Sequence, residues 1–225
     1  METTGTSRAT PRRALRAAGA WLLAGSLLWW VAALLLIPDE DFFFEDSARE
    51  EALAIAEHTG AFRGFHLLAA AGTAAAAIGV VLVGRALRAN RPSRLADAAA
   101  AMAGVGLVAW LVEVTLRMTA GVARAEDVAA GLREPPAEPA IGNAVIFAVS
   151  ALAFAAPAVC GWALAGRRLP GRIASIAAAT LVTAAAIVAA ATLAPSVVFQ
   201  FGVGALALVL LLHRPARVAA AAASA

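Results

Sequence analysis

The chain has no lysine and no tyrosine, a single cysteine (Cys160) and three histidines among its 225 residues. Each shortage removes a class of function. One cysteine excludes an internal disulfide and a cysteine-rich metal site. Of the three histidines only His66 falls near the interior of an apolar segment, so the paired axial histidines of a haem protein are not supplied. No glycine-rich phosphate loop occurs, which leaves nucleotide binding without support. Charged residues are also scarce, at 15%, while 62% of the chain is hydrophobic, against about 45–50% apolar in a soluble domain.

The apolar excess is gathered into six runs, at 17–37, 64–84, 98–121, 141–166, 173–193 and 196–213. Each is close to the length of about 20 residues that carries a helix across roughly 30 Å of hydrocarbon. Because lipid offers no hydrogen bonds to the backbone, each run is expected to be helical. The fold class expected is therefore an all-α membrane protein: one six-helix bundle over 1–225, with residues 1–16 and 218–225 disordered. The first run is longer than a signal-peptide core and lacks a small-residue cleavage site after it, so it reads as an uncleaved helix.

All 18 basic residues are arginine, giving a net charge of +3. In a soluble protein such a balance suggests nucleic acid; here the arginines mark topology. Thirteen of them lie in the N-terminus, the loops after spans two and four, and the C-terminal tail. Twelve of the 15 acids lie in the alternate segments. Arginines in short loops stay in the cytoplasm, so both termini are placed inside and the acidic loops outside a bacterial-type plasma membrane.

The first outer loop, 38–63, has the signature of a short surface helix. Ser47 and Glu50 fit a capping box, Gly60 suits a helix exit, and Ala52, Ile55 and Ala56 form a weak apolar stripe. Phe42, Phe43 and Phe44 precede it and are expected to dip into the interface or plug a cavity. In the second outer loop, Pro135, Pro136 and Pro139 imply a turn or flap. Gly72, Gly79, Gly104, Gly106, Gly161, Gly202 and Gly204 predict close helix approach, and Pro157 predicts a kink in span four.

Polar residues inside the spans are lopsided. Counting about 1.5 Å per residue, Glu113 lies roughly 12 Å below the outer end of span three and Arg117 roughly 6 Å below it. His66 and Arg63 sit at the outer mouth of span two, Asn143 opens span four, and Gln200 is a turn into span six. Trp29, Trp30, Trp110 and Phe147 share that half, whereas the inner half is nearly blank. A charge within a span costs about 2.5–3.5 kcal/mol and faces the bundle interior.

Three functions are compatible with this map. The first is an outward-facing pocket around Glu113 that binds or carries an amphipathic or lipophilic small molecule, lined by Trp29, Trp30, Arg63, Trp110, Asn143, Phe147 and Gln200. The second is an intramembrane enzyme acting on an isoprenoid or lipid. There Glu113 is the general acid, and His66 or Arg117 holds a phosphate or tunes the acid. The third is a structural or regulatory subunit docked through its acidic loop, with a homo-oligomer or partner membrane protein. Glu113 and Arg117 also read as an i,i+4 ion pair that aids insertion, and Asn143 and Gln200 as interhelical hydrogen-bond donors and acceptors. The partners expected are membrane lipids; no metal, cofactor or nucleic acid is expected.

Overall fold

The computed structural model describes residues 11–36, 48–89, 92–134, 141–167, 169, 171–191 and 197–212. Among these all regular structure is helical: α1 (Pro11–Leu36), α2 (Ala48–Glu57), α3 (Thr59–Arg88), α4 (Arg94–Leu116), α5 (Val122–Ala129), α6 (Ile141–Gly166), α7 (Arg172–Ala191) and α8 (Val197–Leu212). Four stretches are long and apolar enough to cross a membrane: Arg13–Leu36, Thr59–Arg88, Arg94–Ala129 and Val145–Gly166. Two shorter apolar helices, Ile173–Ile187 and Phe199–Leu212, accompany them. Large apolar side chains point outward on every long helix, with Leu35 74% exposed on α1, Val108 65% on α4 and Ile173 85% on α7. In water these would form the contiguous apolar patches that soluble monomers avoid; in lipid they meet acyl chains.

The helices extend past the apolar runs. α1 (Pro11–Leu36) already covers residues ahead of the apolar run that begins at 17. α4 is capped by the Ser93 hydroxyl, which accepts the Ala96 amide at 3.4 Å.

Two corrections arise at the other end of the bundle. Gly60 does not terminate α2: it lies in the first turn of α3, and only His58 separates the two helices. The Thr59 hydroxyl donates back to the carbonyls of Ile55 (3.0 Å) and Ala56 (3.2 Å), binding the two helices into a tight corner. Residues 122–129 are not part of a turn or flap either. The chain continues through a π turn, Arg117–Gly121, directly into α5. The hydropathy signal stops at Arg124, Glu126 and Asp127, but alanine, arginine and glutamate all support a helix. α5 ends instead at Gly131, whose φ of 70° is open to glycine. Its amide donates to Val128 O (3.1 Å) and that of Leu132 to Asp127 O (2.9 Å). Ser47, Phe42–Phe44 and Pro135–Pro139 lie outside the described residues.

The π turn changes which residues face inward. Along α4 the buried positions are Ala96, Ala99, Ala103, Gly106, Trp110, Glu113 and Val114. An uninterrupted helix would continue that row through Arg117 and Gly121. The extra residue moves it to Val122, Ala125 and Val128, which bring α5 against α2.

Packing follows the small residues. α1 packs most extensively on α3, α4 on α6, and α8 bridges α1 and α7. A methyl group on Gly106 would overlap the backbone of Ala153, and one on Gly72 would come within 2.8 Å of Gly25 O and the Trp29 ring. Gly104, on the opposite face of α4, has nothing within 4 Å. Pro157 is fully buried inside α6. The core is tiered. Aliphatic residues such as Leu22, Val83, Leu164 and Leu206 form one part. Trp29, Phe65, Trp110 and Val114 form a second, toward the end that carries α2 and α5. Phe62 and Val122, packed with Ala54 and Ile55, seal the third under α2. We refer to that end as the capped end.

Overpacking a tight helix contact costs about 1–3 kcal/mol. Gly106→Ala is therefore expected to lower the thermal midpoint of the purified protein clearly, while Gly104→Ala leaves it within error. Equal shifts for the two would show that α4 and α6 are not in close contact at Gly106.

Candidate functional site

Glu113 is the most constrained charge in the bundle. Its side chain is 8% exposed and accepts three hydrogen bonds on two oxygens. Oε1 takes the Arg117 guanidinium through Nε (3.0 Å) and an Nη (2.8 Å). Oε2 lies 3.1 Å from the Ser150 hydroxyl of α6. The same hydroxyl is 2.7 Å from Phe147 O, so one proton serves two acceptors. Arg117 is 45% exposed and closes only one edge of its guanidinium on Glu113, because it opens the π turn at the end of α4.

His66 is buried at 2% and presents Nδ1 to Phe62 O at 2.8 Å, so the proton on Nδ1 makes that bond. Its ring lies against Phe62 (4.2 Å between centroids) and Phe65 (5.3 Å). Its helix, α3, packs against the π turn that begins at Arg117. His66 therefore lies on the helix that borders the π turn, and the Glu113–Arg117 pair lies on the other side of that contact.

Beneath them lies an aromatic cluster centred on Trp29. Its ring is 5.8 Å from Phe65, 5.9 Å from Trp110 and 6.0 Å from Phe154. Phe154 in turn meets Trp110 at 5.3 Å and Phe199 at 5.9 Å, both edge to face. Trp29 Nε1 donates to the Thr73 hydroxyl (3.2 Å), which donates to Ala69 O (2.9 Å), so both groups are satisfied. A turn along α1, the Ser26 hydroxyl donates to Gln200 O at 2.8 Å.

Two atoms beside this cluster have no partner among the described residues: Trp110 Nε1, a donor, and Gln200 Oε1, an acceptor. Both side chains are buried, at 8% and 2%. The Trp110 ring borders α1 at Trp29, and the Gln200 backbone carbonyl borders it at Ser26.

The remaining candidates lie elsewhere. Trp30 is half-buried and packs on Phe201 at 4.4 Å, away from the Trp29 cluster. Arg63 and Phe147 are exposed. Asn143 stands in the first turn of α6, but its side chain is outside the described set. Among the described residues no three of His, Cys, Asp or Glu come together as a metal-binding set. Three residues of the site, Ser150, Thr73 and Ser26, were missed in the sequence. Their signal was an isolated hydroxyl in an apolar run at the same depth as a tryptophan, glutamate or glutamine of another span.

Comparison of the chain with family models, curated proteins and solved structures found no match in any of the three.

The hydrogen bonds of Glu113 set an asymmetry. Arg117→Ala strips two charge-assisted bonds from a buried carboxylate, each worth about 1.5–3 kcal/mol. Glu113→Gln leaves a half-exposed arginine that can turn to water or headgroups. Arg117→Ala should therefore destabilise more than Glu113→Gln, and the double variant should recover part of the loss. A thermal-unfolding double-mutant cycle with zero coupling would remove the ion pair from the account.

Proposed function

We propose that this is a six-span protein of the bacterial-type plasma membrane, with both termini cytoplasmic and the capped end outside, that binds an amphipathic molecule at the Trp29–Trp110 cluster. Six spans are supported by α7 and α8. At about 1.5 Å per residue, α7 is roughly 30 Å long and the described part of α8 roughly 24 Å. The orientation is supported by the arginines gathered at one set of loops and the acids at the other. A reporter enzyme that folds only outside the cytoplasm, fused after Arg217, is expected to be inactive. Activity there would reverse the orientation.

The observation that carries the binding reading is the orphaned pair. A buried polar group without a partner costs about 1–3 kcal/mol in proteins, and lipid offers no water to supply one. Trp110 Nε1 calls for an acceptor and Gln200 Oε1 for a donor. A hydroxyl or similar head group supplies both, and an apolar body suits the surrounding rings. The reading of Glu113 as an intramembrane general acid has less support, because Arg117 and Ser150 already engage both of its oxygens.

Mass spectrometry of small molecules extracted from purified protein tests the binding reading. Wild type should carry a defined amphipathic molecule, reduced at least about fivefold in both Trp110→Phe and Gln200→Leu. Each change keeps the bulk and removes the orphaned group. The same lipids at the same ratio in all three proteins would refute it and leave the structural-subunit reading.

A further inference from the structure

A second site lies at the capped end, apart from the aromatic cluster. A cavity of about 270 Å³ opens between the first turn of α2 and the exit of α5, lined by Arg49, Val128, Gly131, Leu132, Arg133 and Glu134. We propose that this cavity binds a phosphate-class anion, with Arg49 and Arg133 as its two guanidinium ligands.

The charges point to it. Two guanidinium groups face one carboxylate, so the lining carries a net positive charge. Neither arginine makes an ion pair with any described residue; the pairs present are Arg88–Asp97 and Glu113–Arg117. Both arginines are exposed and free to turn into the cavity. Each also sits in a segment otherwise dominated by acids, where it weakens the topology signal and gains no local partner. Arginine offers a fixed fork of donors matched to phosphate oxygens.

The walls are held in place. α2 packs along α5, and the backbone bonds of Gly131 and Leu132 to the last turn of α5 fix where the chain turns toward Arg133 and Glu134. Leu132 is 79% exposed at the rim and Val128 is buried at the base, so an apolar attachment to the anion would also find contact. The volume lies just below the range of about 300–1,000 Å³ typical of sites for whole drug-sized ligands. It suits a head group or a small solute. Two sources share this chemistry: the phosphodiester of an anionic phospholipid and a free phosphate.

The test uses the full chain. In a non-ionic detergent, the unfolding midpoint is followed against inorganic phosphate, with chloride at equal ionic strength as reference. In nanodiscs, phosphatidylglycerol is compared with phosphatidylcholine. Wild type should be stabilised by phosphate, by phosphatidylglycerol, or by both. Phosphate alone identifies a solute site, and phosphatidylglycerol alone a headgroup site. Arg49→Gln/Arg133→Gln should weaken the response by about tenfold or more in apparent affinity, while Arg63→Gln leaves it intact. Glu134→Gln should tighten it, which keeps the test decisive if the double variant folds poorly. No response in wild type, or a response unchanged in both the double variant and Glu134→Gln, would overturn the assignment.

Discussion

Much of the capped end depends on how closely α4 and α6 approach at Gly106. With no side chain there, the backbone of Ala153 comes into direct contact with α4. Glu113 lies two turns further along the same face of α4, and Ser150 lies one turn from Ala153 on α6. The short interhelical distance set at the glycine is what lets a serine hydroxyl reach the carboxylate at 3.1 Å. A larger residue at 106 would separate the helices and take Ser150 out of range, leaving Glu113 with Arg117 alone. The tilted Trp29–Trp110 pair and the edge of Phe154 fill the space just below.

The π turn supplies the second constraint. It turns the buried row of α4 by one residue, so that Val122, Ala125 and Val128, rather than Arg117, Gly121 and Arg124, lie against α2 and α3. Arginine and glycine would make a poor seam, whereas valine and alanine close it on Phe62, Ala54 and Ile55. The same turn leaves Arg117 at the edge of the bundle, one side on Glu113 and the other exposed. Such turns recur at functional sites in helical proteins.

Hydrocarbon imposes the third. Polar side chains within the spans are mostly tied to a neighbour: Trp29 to Thr73, Ser26 to Gln200, Glu113 to Arg117 and Ser150. Against that background, Trp110 Nε1 and Gln200 Oε1, which have no partner among the described residues, stand out. In water an exposed polar atom finds a solvent partner; here the partner must come from the protein or from a bound molecule.

The sequence by itself determined the helical class and the positions of the apolar segments, and it offered the Glu113–Arg117 pair as one of two readings of those residues. Length, hydropathy and i,i+4 spacing are local properties of one helix. It also located the arginine-rich and acid-rich loops. What it left open was whether a hydroxyl bonds across helices or back to its own turn. Ser150 and Thr73 do both, Ser26 bonds across, and Ser175 bonds back to Gly171. That choice depends on a neighbour brought close by packing. Likewise, Gly104 and Gly106 are indistinguishable in sequence, yet one faces open space and the other a backbone. Only the tertiary structure decided these matters, because the phase of α4, the π turn within it and the cavity between Arg49 and Arg133 depend on contacts between residues far apart in the chain.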